Sequence, residues 1–156
     1  MNDPEPTSQF ASMEAILASV AQPVWVVDHD GFVVYVNPAG LAALGYDDLS
    51  ELRGRFGHDA IHYKHRDGSP YPAEDCPMTK VRGTGESVHM DEDWFVRRDG
   101  SMFPVSYTST PLDMPDGPGV VDTCAPFATA VVPVGTVISN VHVALSDGWS
   151  LTGYQV

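Results

Sequence analysis

The chain is short of positive charge, of cysteine and of long apolar runs, and each shortage removes a class of function. Only eight of its 156 residues are Lys or Arg, against 21 Asp or Glu, and the formal net charge is −13. All the cations, from Arg53 to Arg98, fall in one stretch where carboxylates in equal number offset them. No basic face is left to meet phosphate, so nucleic acid is not an expected partner. Two cysteines, Cys76 and Cys124, cannot build a disulfide framework or a four-thiolate zinc site, and both are expected as reduced thiols. No apolar run approaches the roughly 20 residues of a membrane helix. The opening "MNDPEPTSQF" lacks the basic start and apolar core of a secretory signal. A cytoplasmic protein without a membrane partner is the expectation. Gly-rich phosphate loops, Gly-x-Ser-x-Gly and His-Glu-x-x-His are absent as well.

What is present is an ordinary globular composition, 43% apolar and 19% charged, at a length that suits one domain. Residues 1–11 read as a disordered lead. "SMEAILASVAQ" (12–22) sets Met13, Ile16, Leu17 and Val20 at helical spacing behind Ser12 as N-cap. Two β-rich runs around Asp30-Gly31 in "PVWVVDHDGFVVYVN" predict a hairpin. "PAGLAALG" is a short helix punctuated by Pro38 and Gly45, and "YDDLSELRGR" predicts another. A turn-rich stretch, 56–77, leads to a helix expected to start at Pro72 to Glu74 and to end in "TKVRGTGE". Three β segments close the pattern, the first two joined by Asp99-Gly100. The order β-β, short helices, β-β-β predicts an α+β domain, one antiparallel sheet with helices on one face.

The segments "VVDHDGFVVYVNPAGLAALGY" and "TGES…RRDGSMFPVSYTSTPL", at their mutual spacing, resemble the PAS family over 12–122. The resemblance implies a PAS fold: a five-stranded antiparallel sheet whose inner face and covering helices enclose a small-molecule cavity. Where flavin-binding photosensory members carry a reactive cysteine, this chain reads "GRFGHDAIH", so light-driven adduct chemistry is not expected. The 123–156 tail departs from the pattern. Its segment "CAPFATAVVPVGTVISNVHVALSDGWSLTGYQV" has no Lys, Arg, Glu or heptad. It reads as one or two extra strands or as an altered reading frame at the gene's end.

Chemistry is concentrated in "HYKHRDGSPYPAEDCP" (62–77). If 62–65 is helical, His62 and His65 share a face. Three or four converging ligands for a lone metal ion are hard to assemble there, whereas haem needs one axial imidazole or thiolate and an apolar pocket. His62 and His65 are therefore the axial iron-ligand candidates for haem b, with Cys76, in a Cys-Pro pair, as the thiolate alternative. His89 falls where some haem PAS proteins place a second ligand. Strict alternation puts it on the face opposite Trp94, so an exposed His89 is expected unless a bulge intervenes. The carboxylates of "MDEDW" read as a solvated strand edge.

The resemblance then implies three functions. One is a free-standing haem-dependent lyase that degrades a nitramine such as N-nitroglycine with release of nitrite. Arg53, Arg55, Lys64, Arg66 and Arg97 are the cations available for its substrate carboxylate. The alternative is a single-domain haem, gas or redox sensor signalling to a separate partner, and a third is a cofactor-free dimerisation module. A homodimer through 12–22 is the default assembly of the family.

Overall fold

A computed structural model describes residues 14–126 and two short paired strands, Val143–Ala144 and Ser150–Leu151. The expected lead at 1–11, Ser12 as a helix cap and most of the 123–156 tail lie outside the described residues.

Five strands form one open antiparallel sheet: β1 (Val24–Val27), β2 (Val33–Val36), β3 (Val88–Val96), β4 (Met102–Leu112) and β5 (Gly119–Pro126). Their spatial order is β2-β1-β5-β4-β3. Two tight turns explain the hairpins. At the first, Asp28 accepts from the Asp30 and Phe32 amides (3.0 and 2.9 Å), and Gly31 takes φ +89° where a side chain would be strained. At the second, Asp99 accepts from the Ser101 amide at 2.9 Å. Pairing of β1 with β5 then joins the two hairpin units.

Between β2 and β3 run α2 (Pro38–Leu44), a single 3-10 turn (Leu49–Glu51), α3 (Gly57–Ile61) and α4 (Pro77–Thr84); α1 is the helical stretch 14–19. Two expectations are corrected here. Helix α4 starts at Pro77, not at Pro72 to Glu74, because 72–75 closes into a turn with Asp75 N–H on the Pro72 carbonyl. Helix α3 ends at Ile61, with His62 as its C-cap at φ −138°, so His62 and His65 are not on one helix.

The core lies between the sheet and these helices. β4 alternates cleanly, with Phe103, Val105, Tyr107 and Ser109 inward. Those residues meet Trp25, Phe95, Leu52, Ile61 and Val81. β3 does not alternate. Met90 faces Tyr107 and Asp93 faces Val105, so two residues of β3, Asp91 and Glu92, stand against the single Ser106 of β4. This bulge returns Asp93 to the inner face, where strict alternation from Met90 would have sent it outward.

Asn37 ties the N-terminal third together from a position with no solvent exposure. Its Oδ1 accepts from Val24 N and Gly40 N, both at 2.9 Å, and its Nδ2 donates to the carbonyls of Leu17, Val20 and Gln22. Asn37→Ala leaves those buried groups without partners and is expected to cost about 2–3 kcal/mol, on the order of 10 °C in Tm. Thermal unfolding followed by circular dichroism checks this; a shift below about 2 °C would mean that Asn37 does not hold α1 to the sheet.

Candidate functional site

The site is built from three places in the sequence. Gly57 lets α3 lie close against the sheet: a Cβ there would stand 3.0 Å from Val27 Cγ1. The next residue, His58, and the helix end, His62, are four apart and share a face, with ring centroids 5.8 Å apart. Cys76 is the residue before Pro77 and caps the start of α4, where helical amides favour negative charge. Asp93 arrives from the bulge of β3.

His62 sits at the centre with no exposure. Its Nδ1 lies 3.1 Å from Cys76 Sγ and its Nε2 lies 3.1 Å from Asp93 Oδ2. The second contact has the distance of an ion pair but not the angle of a full hydrogen bond. Phe95 and Tyr71 press on the ring edge-on at 5.2 and 4.6 Å. His58 is anchored separately, its Nε2 lying 2.8 Å from the Tyr71 carbonyl. One donor atom from each of His58, His62 and Cys76 lies within 4.8 Å of the others.

Burial by itself would push both Cys76 and His62 toward their neutral forms. The opposite occurs because each charge has partners. Burial raises the Cys76 thiol, but the His58 and His62 rings beside it, the His62 charge and the Thr79 amide bring it down to about 6. Burial lowers His62, but the bonds and charges of Asp93 and Cys76 carry it up to about 9. At neutral pH the centre is therefore a thiolate–imidazolium pair, and the His62 bond and charge hold Asp93 below the usual carboxylate range against its own burial. Cys124 has no such partners, and burial followed by Asp122 pushes it to about 12. Both cysteines are free thiols.

Of the residues read from sequence, the structure brings together His62 and Cys76. His65 is exposed and stacks on Tyr71 at 4.2 Å, with its ring on the outer side of the loop. His89 is exposed and pairs with Thr108 and Asp91, and the bulge sets it on the same outer face as Trp94, which strict alternation had placed opposite. The five cations do not gather on this cluster. Arg53 is exposed, Arg55 donates to Tyr46, Lys64 to the Gly100 carbonyl and Arg97 to the Ala43 carbonyl. Arg66 lies over the Trp94 ring, at the rim of an open surface depression that reaches Asp93. His58 and Asp93 escaped the sequence reading. The spacing of "HDAIH" carried a signal for the first; nothing in "MDEDW" marks the bulge that turns the second inward.

A haem group does not fit this interior. Donors of the right kind are present, but Cys76, His62, Phe95 and Tyr107 are packed to 1% exposure or less. The cavity beside His58, bounded also by Trp25, Met78 and Asp122, measures about 20 Å³. That volume admits about one water, whereas bound cofactors occupy pockets of roughly 300 Å³ or more; the larger space, about 590 Å³ bordered by His65, Arg66, Asp93 and Trp94, is an open depression at the surface.

In ultraviolet titration, the Cys76 thiolate should appear with a midpoint near 6, while Cys124 stays silent until about pH 12. His62→Gln removes the positive partner and is expected to raise the first midpoint by one or more pH units, and Asp93→Asn should raise it less. A midpoint at the ordinary thiol value in the unmutated protein would dismiss the ion pair.

The comparisons agree with this architecture. A family model described as the PAS fold matches residues 11–124. The PAS domain of an HTR-like protein from Haloarcula marismortui superposes with a TM-score of 0.60 at 22% identity, over 78% of this chain and 93% of that one. The PAS domain of nitrogen regulation protein NR(II) from Vibrio parahaemolyticus gives 0.56 at 13% identity, over 74% and 97%. A Rhodobacter sphaeroides LOV protein gives 0.61 at 16% identity, over 80% and 70%. No curated protein matches the chain. Among the described residues no helix is long and apolar enough to cross a membrane. With the sheet order, the short helices over its inner face and a family match across most of the chain, this protein belongs to the PAS family.

Proposed function

We propose that this chain is a sensory PAS domain that reads a chemical change at its buried His62–Cys76–Asp93 centre and passes it through the sheet to a partner. The observation that carries this reading is the placement of the centre. Its members come one each from α3, the start of α4 and the bulge of β3, so a change in charge at Cys76 acts on all three elements at once. Relatives in the same fold include a nitrogen regulation protein and a sensor histidine kinase domain. The sensor reading is favoured over the nitramine lyase because the interior offers about 20 Å³ beside the cluster, which is no room for a porphyrin and a substrate. A second copy remains the default partner, and Ile16 on α1, 63% exposed, is available for it.

Hydrogen exchange tests the reading on the full chain. Cys76→Ser removes the thiolate with little loss of volume. It is expected to leave the circular dichroism spectrum unchanged and to alter amide protection along β3 and in the first turn of α4 by tenfold or more. Unchanged protection would reduce the centre to a satisfied polar core. Haem reconstitution with N-nitroglycine present is the parallel measurement: the expected result is no Soret band and no nitrite, and a Soret band with nitrite release would replace the sensor with the lyase.

A further inference from the structure

We propose that His58, His62 and Cys76 bind one divalent transition-metal ion of the zinc class, through the Nδ1 atom of each imidazole and the cysteine sulfur. This names a ligand for the centre described above; binding itself does not depend on the sensory reading, and only its consequence does.

The positions of the ring protons decide which nitrogen atoms are free to bind. A backbone carbonyl can only accept, so the 2.8 Å contact between His58 Nε2 and the Tyr71 carbonyl fixes a proton on Nε2, and the neutral ring then carries its lone pair on Nδ1. That Nδ1 is buried, on a residue 6% exposed, and has no hydrogen-bond partner among the described residues. The carboxylate of Asp93 likewise faces Nε2 of His62, so that nitrogen keeps its proton and Nδ1 faces Cys76 Sγ. His62 thus turns its Nδ1 toward the sulfur, and one ring nitrogen of His58 lies within 4.8 Å of both. An ion pair of Cys76 with His62 accounts for the second ring but leaves the first with an unused buried lone pair. A metal ion accounts for both, taking the place of the proton shared between His62 Nδ1 and the sulfur.

The distances suit such an ion. In a tetrahedral site with bonds of about 2.0–2.3 Å, donor atoms stand roughly 3.3–3.7 Å apart. The His62–Cys76 pair is already at 3.1 Å, and the whole set lies within 4.8 Å, so side-chain adjustments of about an ångström close it. The outer contacts have the form that holds metal-binding histidines: a carboxylate behind one ring and a backbone carbonyl behind the other. Charge also closes, because two positive charges meet the buried Cys76 thiolate and the Asp93 carboxylate behind His62. Thiolate and imidazole donors favour zinc or cobalt over magnesium and calcium. Three protein donors leave the fourth position of such an ion to a water.

Cobalt(II) titration of the chelator-treated full chain tests the site. The expected result is one ion per chain, with a near-ultraviolet sulfur-to-cobalt charge-transfer band and the visible bands of tetrahedral cobalt, both bleached by zinc. Cys76→Ser should abolish the charge-transfer band. His58→Gln leaves the Cys76–His62–Asp93 arrangement in place and should weaken binding 100-fold or more. Asp93→Asn should retain the band and weaken binding about 10- to 100-fold. His65→Gln and His89→Gln should bind as the unmutated chain does. Circular dichroism confirms that each variant is folded. Absence of the one-to-one band, its survival in Cys76→Ser, or its indifference to His58→Gln would each overturn the site. Hydrogen exchange separates this proposal from the sensory one: metal bound without change in strand protection keeps the site and removes the sensor, whereas a colourless protein with altered protection in Cys76→Ser does the reverse.

Discussion

The contact between Cys76 and His62, with Asp93 behind it, places opposite charges in a buried centre that only the carboxylate opens to solvent, and much of the fold is arranged to permit it. A lone buried thiolate or imidazolium would revert to its neutral form, because losing hydration costs several kcal/mol per ion. Here each charge keeps a partner within 3.1 Å. The partners belong to separate elements, so the pair also fixes how those elements stand. Helix α3 is drawn against the sheet through Gly57, α4 begins with its positive end at the sulfur, and β3 carries an extra residue so that Asp93 points inward. Asn37 performs the equivalent service at the other end of the sheet with neutral hydrogen bonds.

That arrangement also leaves little enclosed space beneath the sheet. A PAS interior has space for a ligand only where side chains leave it. In this protein the volume under the sheet is taken by Phe95, Tyr107, Trp25 and the two histidines, whose rings meet edge-to-face or stacked at 5–6 Å. Polar donors that would greet a planar cofactor are instead turned on one another.

Much of the fold was legible in the sequence because it is written in local terms. Asp-Gly pairs marked both hairpin turns, and Pro38 and Gly45 bracketed α2. The site was legible in part. His62 and Cys76 stood out as chemically able residues in a turn-rich stretch, yet their contact across 14 positions depends on the path of 63–75, which no periodicity describes. The pairing expected of His62 with His65 failed because α3 stops at Ile61; the pair that shares a helix face lies one turn earlier, at His58. Asp93 was hidden for a different reason. Strand period is a rule with exceptions at bulges, and a bulge is fixed by the partner strand and the core rather than by its own residues.

The same bulge has a bearing on how the molecule behaves in a crowded solution. β3 is the last strand in the sheet order, and nine residues of regular edge would offer a row of unpaired amides and carbonyls to any passing strand. The extra residue breaks the regularity of that row, and the exposed His89, Asp91 and Glu92 line it with polar and negative groups. The irregularity that carries a carboxylate inward thus also spoils the outer border as a template for aggregation, so internal chemistry and solubility are joined in one stretch of backbone.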